Sequence, residues 1–265
     1  PPLCIKLDTS AFFSDYQGEK RKLGLGSSAA LAVALAAAWY SYRHGVTNLD
    51  KERWLPTLVN LHRKLQGGKG SGVDVAASLF GGLLEYNMGL NASLEADVEA
   101  PLSPRAAKVP LPSDMEWMWI WLGQAASTRV FLAGMKLFQQ HRRSDYLAHI
   151  NAMKDISQDG LQAARANDAS ALLSSIHAYG CCMQRLGEAA QVPIYTDDHR
   201  RLAQLAQKFN VAFKPSGAGG GDIALAASRD TEALSNLARQ VSAAGYPVVS
   251  LGPATHGLNI RSGSE

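Results

Sequence analysis

Cysteine is scarce in this chain. Of 265 residues only three are cysteine (Cys4, Cys181 and Cys182), and two of them are adjacent. An odd, adjacent set argues against a secreted scaffold stapled by disulfides and points to a cytoplasmic setting. An excess of one charge is lacking too: 26 Lys and Arg face 23 Asp and Glu, a net +3. That is too little for a nucleic-acid surface unless it is gathered in one patch. Long apolar runs are missing. The longest unbroken one, residues 29–40, has 12 residues, against about 20 needed to cross a bilayer. The opening Pro-Pro-Leu-Cys-Ile-Lys-Leu-Asp shows no basic segment followed by an apolar one, so it does not read as a signal peptide. The 7 histidines show no metal-ligand spacing and no Cys-x-x-Cys occurs, which argues against a transition-metal site. Neither a Gly-x-x-x-x-Gly-Lys-Ser/Thr loop nor a protein-kinase catalytic loop is present.

What is present suits one large domain or two smaller ones sharing a cleft. Hydrophobic residues make up 46% and charged residues 18%, enough to build a sizeable core. The pattern predicts a short strand over 3–7 and a polar turn over 15–22. A helix then runs to about Arg43, with Gly45 to stop it. Alanine fills seven of the positions 29–40, so this helix is expected to be enclosed on most sides. A second helix over 51–65 carries Leu55, Leu58, Val59 and His62 at helical spacing. A third, over 74–80, ends at Gly81-Gly82, and a strand follows over 83–87. Residues 88–114, with four prolines, read as a connector, and the expected division is 1–100 and 101–265. Beyond it, a strand over 116–122 places Trp117, Trp119 and Trp121 on one face. Helices are expected over 129–141, 144–167, 169–186, 197–210 and 231–244. Strands are expected over 211–214, 223–227, 247–251 and 258–261. The class is mixed α+β, with helices covering antiparallel sheet in the second half.

Three glycine-rich segments carry the chemistry. The first, Gly-Leu-Gly-Ser-Ser-Ala at 24–29, leads straight into a helix. Glycine permits positive φ and close approach, while a helix start offers unpaired N–H groups and a positive dipole end. That makes a phosphate socket, to which Ser27 and Ser28 can add a hydrogen bond or a Mg²⁺ ligand. A tight turn with serine as N-cap is the plainer alternative. The second, Ser-Gly-Val-Asp at 71–74, sets a carboxylate at a helix start. Asp74 reads either as a first-turn acid favoured by the dipole or as a group facing a hydroxyl substrate in phosphoryl transfer. Lys69 lies just upstream. The third, Lys-Pro-Ser-Gly-Ala-Gly-Gly-Gly-Asp at 214–222, is costly in backbone entropy for a plain hairpin, which favours a loop that hugs a ligand.

Taken in order, these segments resemble the motifs of the GHMP small-molecule kinases. The first resembles that family's Gly-Leu-Gly-Ser-Ser-Ala motif, residues 70–74 its catalytic-aspartate segment, and 217–222 its Gly-x-Gly-Gly-Gly-Asp motif. The resemblance covers roughly residues 3–261. Within the family the phosphomevalonate kinase branch has the most similar wording, in residues 5–13, 74–82, 123–128 and 214–216. The resemblance implies a two-subdomain fold, with a truncated ribosomal S5 domain 2-like first part and a ferredoxin-like second part. It also implies ATP and Mg²⁺ as cofactors and transfer of the γ-phosphate to 5-phosphomevalonate. Gly24, Leu25, Gly26, Ser27, Ser28 and Ala29 would cradle the triphosphate, with Ser28 on Mg²⁺. Asp74, with Lys69, would act at the reacting centre. Ser127, Thr128, Gly217, Ala218, Gly219, Gly220 and Asp222 would meet substrate. Lys22, Lys69 and Lys214 are counter-charge candidates. The expected state is a monomer or homodimer with no nucleic-acid or membrane partner.

One departure stands out. The family's first motif, a lysine-bearing N-terminal strand, belongs well upstream of Gly24, and no Pro-Gly-Lys-like segment occurs among the 23 residues before it. About 70–90 residues of a family member are expected to be absent, on domain-size grounds. The alternatives are a mevalonate or sugar kinase with the same ATP site, and a non-catalytic ligand sensor.

Overall fold

The computed structural model describes residues 4–16, 18–68, 70–89, 101–123, 128–249 and 251–261. Its contacts divide the chain into two compact units. One is Pro1–Val109 with Pro253–Glu265, and the other is Pro110–Gly252. The first unit therefore extends past residue 100, because the end of the expected connector is a strand.

In the first unit, β1 (Phe13–Tyr16) and β2 (Glu19–Lys22) form an antiparallel hairpin where a polar turn was expected. Residues 4–9, expected to include a strand, have no regular structure, and Ile5 and Leu7 are exposed. Among the described residues no partner strand satisfies their backbone, and a lone strand has no ladder to hold it. Helix α1 (Ser27–His44) runs between Gly26 and Gly45, both in the left-handed region. It buries only a stripe of Ser27, Ala29, Val33 and Ala37. Leu35, Trp39 and Tyr42 are exposed within the described residues, so the enclosure expected from alanine content is confined to one face. Small side chains on that face let α3 (Val73–Phe80) pack closely against it.

Helix α2 (Lys51–Leu65) has the predicted bounds and buries the predicted Leu55, Leu58, Val59 and His62. Asp50 caps it by accepting from the Arg53 N–H at 3.1 Å. With Val75, Ala76, Leu79 and Phe80 of α3, Leu55, Leu58 and Val59 form the core of the unit, each large aliphatic contributing roughly 1.5–3 kcal/mol by leaving water. Strand β3 (Leu83–Asn87) pairs with β4 (Arg105–Val109). Asn60 clasps the approach to β4, donating to Leu102 O and accepting from Leu102 N, both at 2.8 Å. The last expected strand, 258–261, does not form. Instead, Gly257 N and Leu258 N donate to Phe80 O and Ser78 O at 3.0 and 2.9 Å, answering the carbonyls left open where α3 ends.

The second unit is an antiparallel sheet under helices. Strands β5 (Glu116–Trp121), β6 (Ala212–Pro215), β7 (Ile223–Ser228) and β8 (Val248–Val249) lie in the order β6-β7-β5-β8. Between them run α4 (Thr128–His141), α5 (Arg143–Arg165), α6 (Ala169–Ala190), α7 (Asp197–Lys208) and α8 (Thr231–Ala243). This is the expected ferredoxin-like sheet order, with extra helices in the first crossover. Met118 and Ile120 of β5, Phe213 of β6 and Ala224 and Ala226 of β7 share one buried core with Leu202, Leu237 and Val241 from the helices. Alternation along β5 puts the three tryptophans on the other face. Among the described residues no helix is long and apolar enough to cross a membrane.

Candidate active site

The first glycine segment becomes an uncapped helix start. Leu23 is buried, and its N–H donates to Phe12 O at 2.9 Å, which fixes the lead-in. Gly26 is the N-cap of α1, with φ 71°, and no side chain caps the helix. The serine-cap alternative is therefore not what the chain does. Gly26 O accepts from Ala29 N and Ala30 N at 3.0 and 3.1 Å, which leaves the N–H groups of Ser27 and Ser28 as the first-turn donors without a helical acceptor. Ser27 is buried and Ser28 exposed.

The second glycine segment brings a carboxylate to that start. Gly72, with φ 77°, is the N-cap of α3, and Asp74 lies in the first turn. A methyl on Gly72 would come within 2.5 Å of Val59 Cγ1, and one on Gly70 (φ 109°) within 2.8 Å of Gln66 Oε1. Both positions thus require glycine. Asp74 Oδ1 accepts from Val75 N at 3.0 Å. A Cβ placed on Gly26 would sit 3.3 Å from Asp74 Cβ and 4.0 Å from its Oδ2, so the carboxylate lies directly against the backbone bend that opens α1.

Neighbouring groups hold this arrangement. Tyr86 of β3 donates to Ser71 O at 2.6 Å. Its phenol is pushed up to about 12 by burial and by the negative charge of Asp74, opposed by Arg63, so it remains a donor. Arg63 in turn donates to Gly68 O at 3.0 Å. His62, buried on α2, has Nε2 3.3 Å from Ser28 Oγ and 3.4 Å from Gln66 Nε2. A chain of contacts from Ser28 through His62 and Gln66 to Gly70 therefore ties the first two glycine segments together. In the sequence His62 reads as part of a core stripe, and neither Gln66 nor Tyr86 stands out. The available signal was a polar residue on an otherwise apolar helix face.

The third segment, in the second unit, is the hairpin loop between β6 and β7. Its glycines are used for packing. Gly219 (φ 86°) lies against the Ile194 carbonyl and Gly220 (φ 79°) against the Phe131 ring, so that a Cβ on either would overlap those atoms. Gly220 N donates to Ile194 O at 2.8 Å, and Ser216 N to Ile223 O at 2.9 Å. At Gly217 an added methyl would meet nothing within 4 Å. Lys214, expected as a counter-charge, turns its ammonium onto Pro215 O at 2.7 Å, and burial lowers its pKa to about 8.

The structure thus brings together residues 24–29 and Asp74. Lys22 is exposed at the end of β2. Lys69 and Ser127 lie outside the described residues, and Thr128 is described only as the backbone start of α4. Ala218 and Asp222 belong to the β6–β7 loop, Ala218 being exposed.

Residues 17–82, the stretch holding both the bend and Asp74, match the family model for the GHMP kinases N terminal domain. Over 253 residues the chain is 27% identical to a phosphomevalonate kinase from Streptomyces sp. (strain CL190), covering 90% of this chain and 66% of that protein. The chain therefore spans just under two thirds of that relative's length. Among solved structures, the Lin0012 protein of Listeria innocua superposes with a TM-score of 0.74 at 27% identity, covering 87% of this chain and 66% of the other. Streptococcus pneumoniae phosphomevalonate kinase, solved in complex with phosphomevalonate and AMPPNP, shares the fold with a TM-score of 0.70 at 21% identity, covering 89% and 70%. Residues 17–82 thus match the GHMP kinase N-terminal domain, and over most of its length the chain is similar in sequence and fold to phosphomevalonate kinases.

Proposed function

We propose that this protein is an ATP-dependent phosphotransferase that moves the γ-phosphoryl group of ATP onto the phosphate of 5-phosphomevalonate, giving 5-diphosphomevalonate for isoprenoid synthesis. The observation that carries this reading is the Asp74 carboxylate set against Gly26, at a helix start whose first amides have no cap. An uncapped start receives anionic oxygen through N–H groups and dipole. A carboxylate beside it has a use when a second, reacting group must be oriented there. The similarity to named phosphomevalonate kinases supports that acceptor.

The donor set fits the implied cofactors. The hydroxyl of Ser28 and the carboxylate of Asp74 are hard oxygen donors, suited to Mg²⁺, which keeps waters and takes its remaining ligands from phosphates. Bound ATP–Mg²⁺ supplies the transferable phosphoryl group and neutralises its charge. The chain does the rest by holding groups in place. The Ser27 and Ser28 amides receive phosphate oxygen, and His62 fixes the rotamer of Ser28. The acceptor is a phosphate already ionised near neutral pH, so Asp74 acts by orientation and electrostatics more than by taking a proton. Ser127 and Thr128 contact the acceptor. Residues 217–222 close on the reacting ends, and Lys22 and Lys69 balance charge. The protein works in the cytoplasm as a monomer or homodimer.

The test is ³¹P NMR of the whole protein with ATP, Mg²⁺ and one acceptor at a time. Loss of the 5-phosphomevalonate monoester signal, with new diphosphate resonances and ADP, is the expected result. Turnover of mevalonate but not its phosphate defeats the acceptor assignment, and binding of both ligands without product defeats the enzyme reading.

A further inference from the structure

Lys214 stands two residues before Ser216 on the strand that feeds the third glycine segment, a place where a free cation would serve as counter-charge for a phosphate. The structure uses it otherwise. Its Nζ donates to Pro215 O at 2.7 Å and to Ser216 O at 3.4 Å, and sits 5.9 Å from the centroid of the Tyr179 ring on α6. The helix comes close here: a Cβ on Gly180 would lie 3.1 Å from Lys214 Cβ. Lys214 is half-buried between the exit of its own strand and α6, with its ammonium on carbonyl oxygens. Burial in that setting lowers its pKa to about 8, as desolvation does to any enclosed amine.

Gathering carbonyls has a consequence for the amides. The Ser216–Gly217 peptide is trans, as no cis bond occurs among the described residues, and in a trans peptide C=O and N–H point in opposite directions. With Ser216 O drawn toward the ammonium, the Gly217 N–H is turned away from it. The neighbouring amides are already committed, Ser216 N to Ile223 O and Gly220 N to Ile194 O. Around Gly217 the space where a side chain would stand is open. An anion-receiving loop needs this arrangement, with carbonyls collected behind and an amide presented in front.

We infer that Lys214 is a positioning residue: its ammonium holds the Pro215 and Ser216 carbonyls so that the Gly217 amide faces an anionic oxygen of the ligand, and it makes no phosphate contact of its own. This rests on the kinase reading, in which the loop meets a phosphoryl group. A lysine suits the task because its compact ammonium offers three donors to neighbouring carbonyls without the planar fork of arginine.

The experiment compares Lys214→Met with wild type in the whole protein. Methionine keeps much of the stem and removes the donors. The expected result is amide hydrogen exchange at Ser216 and Gly220 at least about tenfold faster without ligand. With it, kcat should fall about ten- to hundredfold while KM for ATP and for 5-phosphomevalonate stays within about threefold. A rise of about tenfold or more in KM, with steeper salt dependence and unchanged exchange, makes Lys214 a counter-charge and overturns the inference. Unchanged exchange overturns it whatever the kinetics. A wild type that turns over no acceptor sinks the kinase reading alone, because the exchange comparison still reports on the loop. If the methionine variant does not fold, competitive acetylation of wild type decides. The pH-independent labelling rate of the free-base amine at Lys214 should be at least about tenfold below that of the exposed Lys154, and equal free-base rates refute its engagement by the carbonyls.

Discussion

Glycine is used in opposite ways in the two units. At the start of α1, Gly26 brings the backbone bend against a carboxylate and leaves the first amides of a helix uncapped. In the β6–β7 loop, Gly219 and Gly220 fill space against Ile194 and Phe131, and their absent side chains serve packing. The glycines before α1 leave helix-start amides uncapped, whereas Gly219 and Gly220 shut part of their loop against its own fold. Composition alone does not separate them, because both need positive φ and close approach.

The comparison breaks most sharply at Asp74. Asp74→Ala removes the group that gives the open bend its chemical use, and turnover should fall by about 10²–10⁴-fold. Nucleotide affinity, measured by calorimetry, should change by no more than about threefold, since the amides remain. A variant that keeps near-normal turnover leaves the bend without its partner.

Gly220→Ala probes the closed run. The added methyl meets the Phe131 ring at a positive φ, so urea unfolding of the second unit should lose about 2–4 kcal/mol. A loss below about 0.5 kcal/mol means the packing reading is wrong.

The two buried histidines extend the contrast. His62, in the first unit, has Ser28 and Gln66 at its Nε2. His199, in the second, is fully buried; its Nδ1 serves the Thr196 capping box, and its Nε2 has no partner among the described residues. Burial lowers its pKa from 6.5 to about 4. The folded state then refuses a proton that the unfolded chain accepts. Stability is unaffected above about pH 6.5 and falls as pH drops from there toward 4, by up to about 3 kcal/mol. Denaturant midpoints across that range should show the decline, and His199→Gln should flatten it. An equal slope in the variant assigns the effect elsewhere.

Gly26→Ala is a smaller change than Gly220→Ala. The methyl finds Asp74 Cβ at 3.3 Å, so stability should drop by about 1 kcal/mol while activity falls disproportionately as the carboxylate is displaced. Smallest of all is Gly217→Ala, where open space predicts a stability change within about 0.5 kcal/mol.

Much of the fold could be read from periodicity. Helix α2 and strand β3 have the bounds their spacing dictates, since an apolar stripe and a flanking glycine pair leave few other solutions. Three of the departures show the physical reasons most plainly. β4 is a strand because β3 offers it an edge and Asn60 holds its approach, and neither fact is local in sequence. Residues 258–261 look strand-like, but the chain there spends its amides on the carbonyls at the end of α3. The exposed face of α1 was hidden by alanine, which is compatible with burial and exposure alike. At the site, glycines and the acid announced themselves by type. His62 and Gln66 did not, because their role is a contact between helices that no spacing within either helix encodes.

The central claim is that the bend ahead of α1 receives the anionic tail of a nucleotide beside Asp74. The direct measurement is amide chemical-shift perturbation in the isotope-labelled whole protein on adding AMPPNP with Mg²⁺. The account predicts the largest shifts at Gly26, Ser27 and Ser28, with smaller ones at Asp74. Saturable binding that leaves those amides unmoved, its shifts clustered elsewhere, contradicts it.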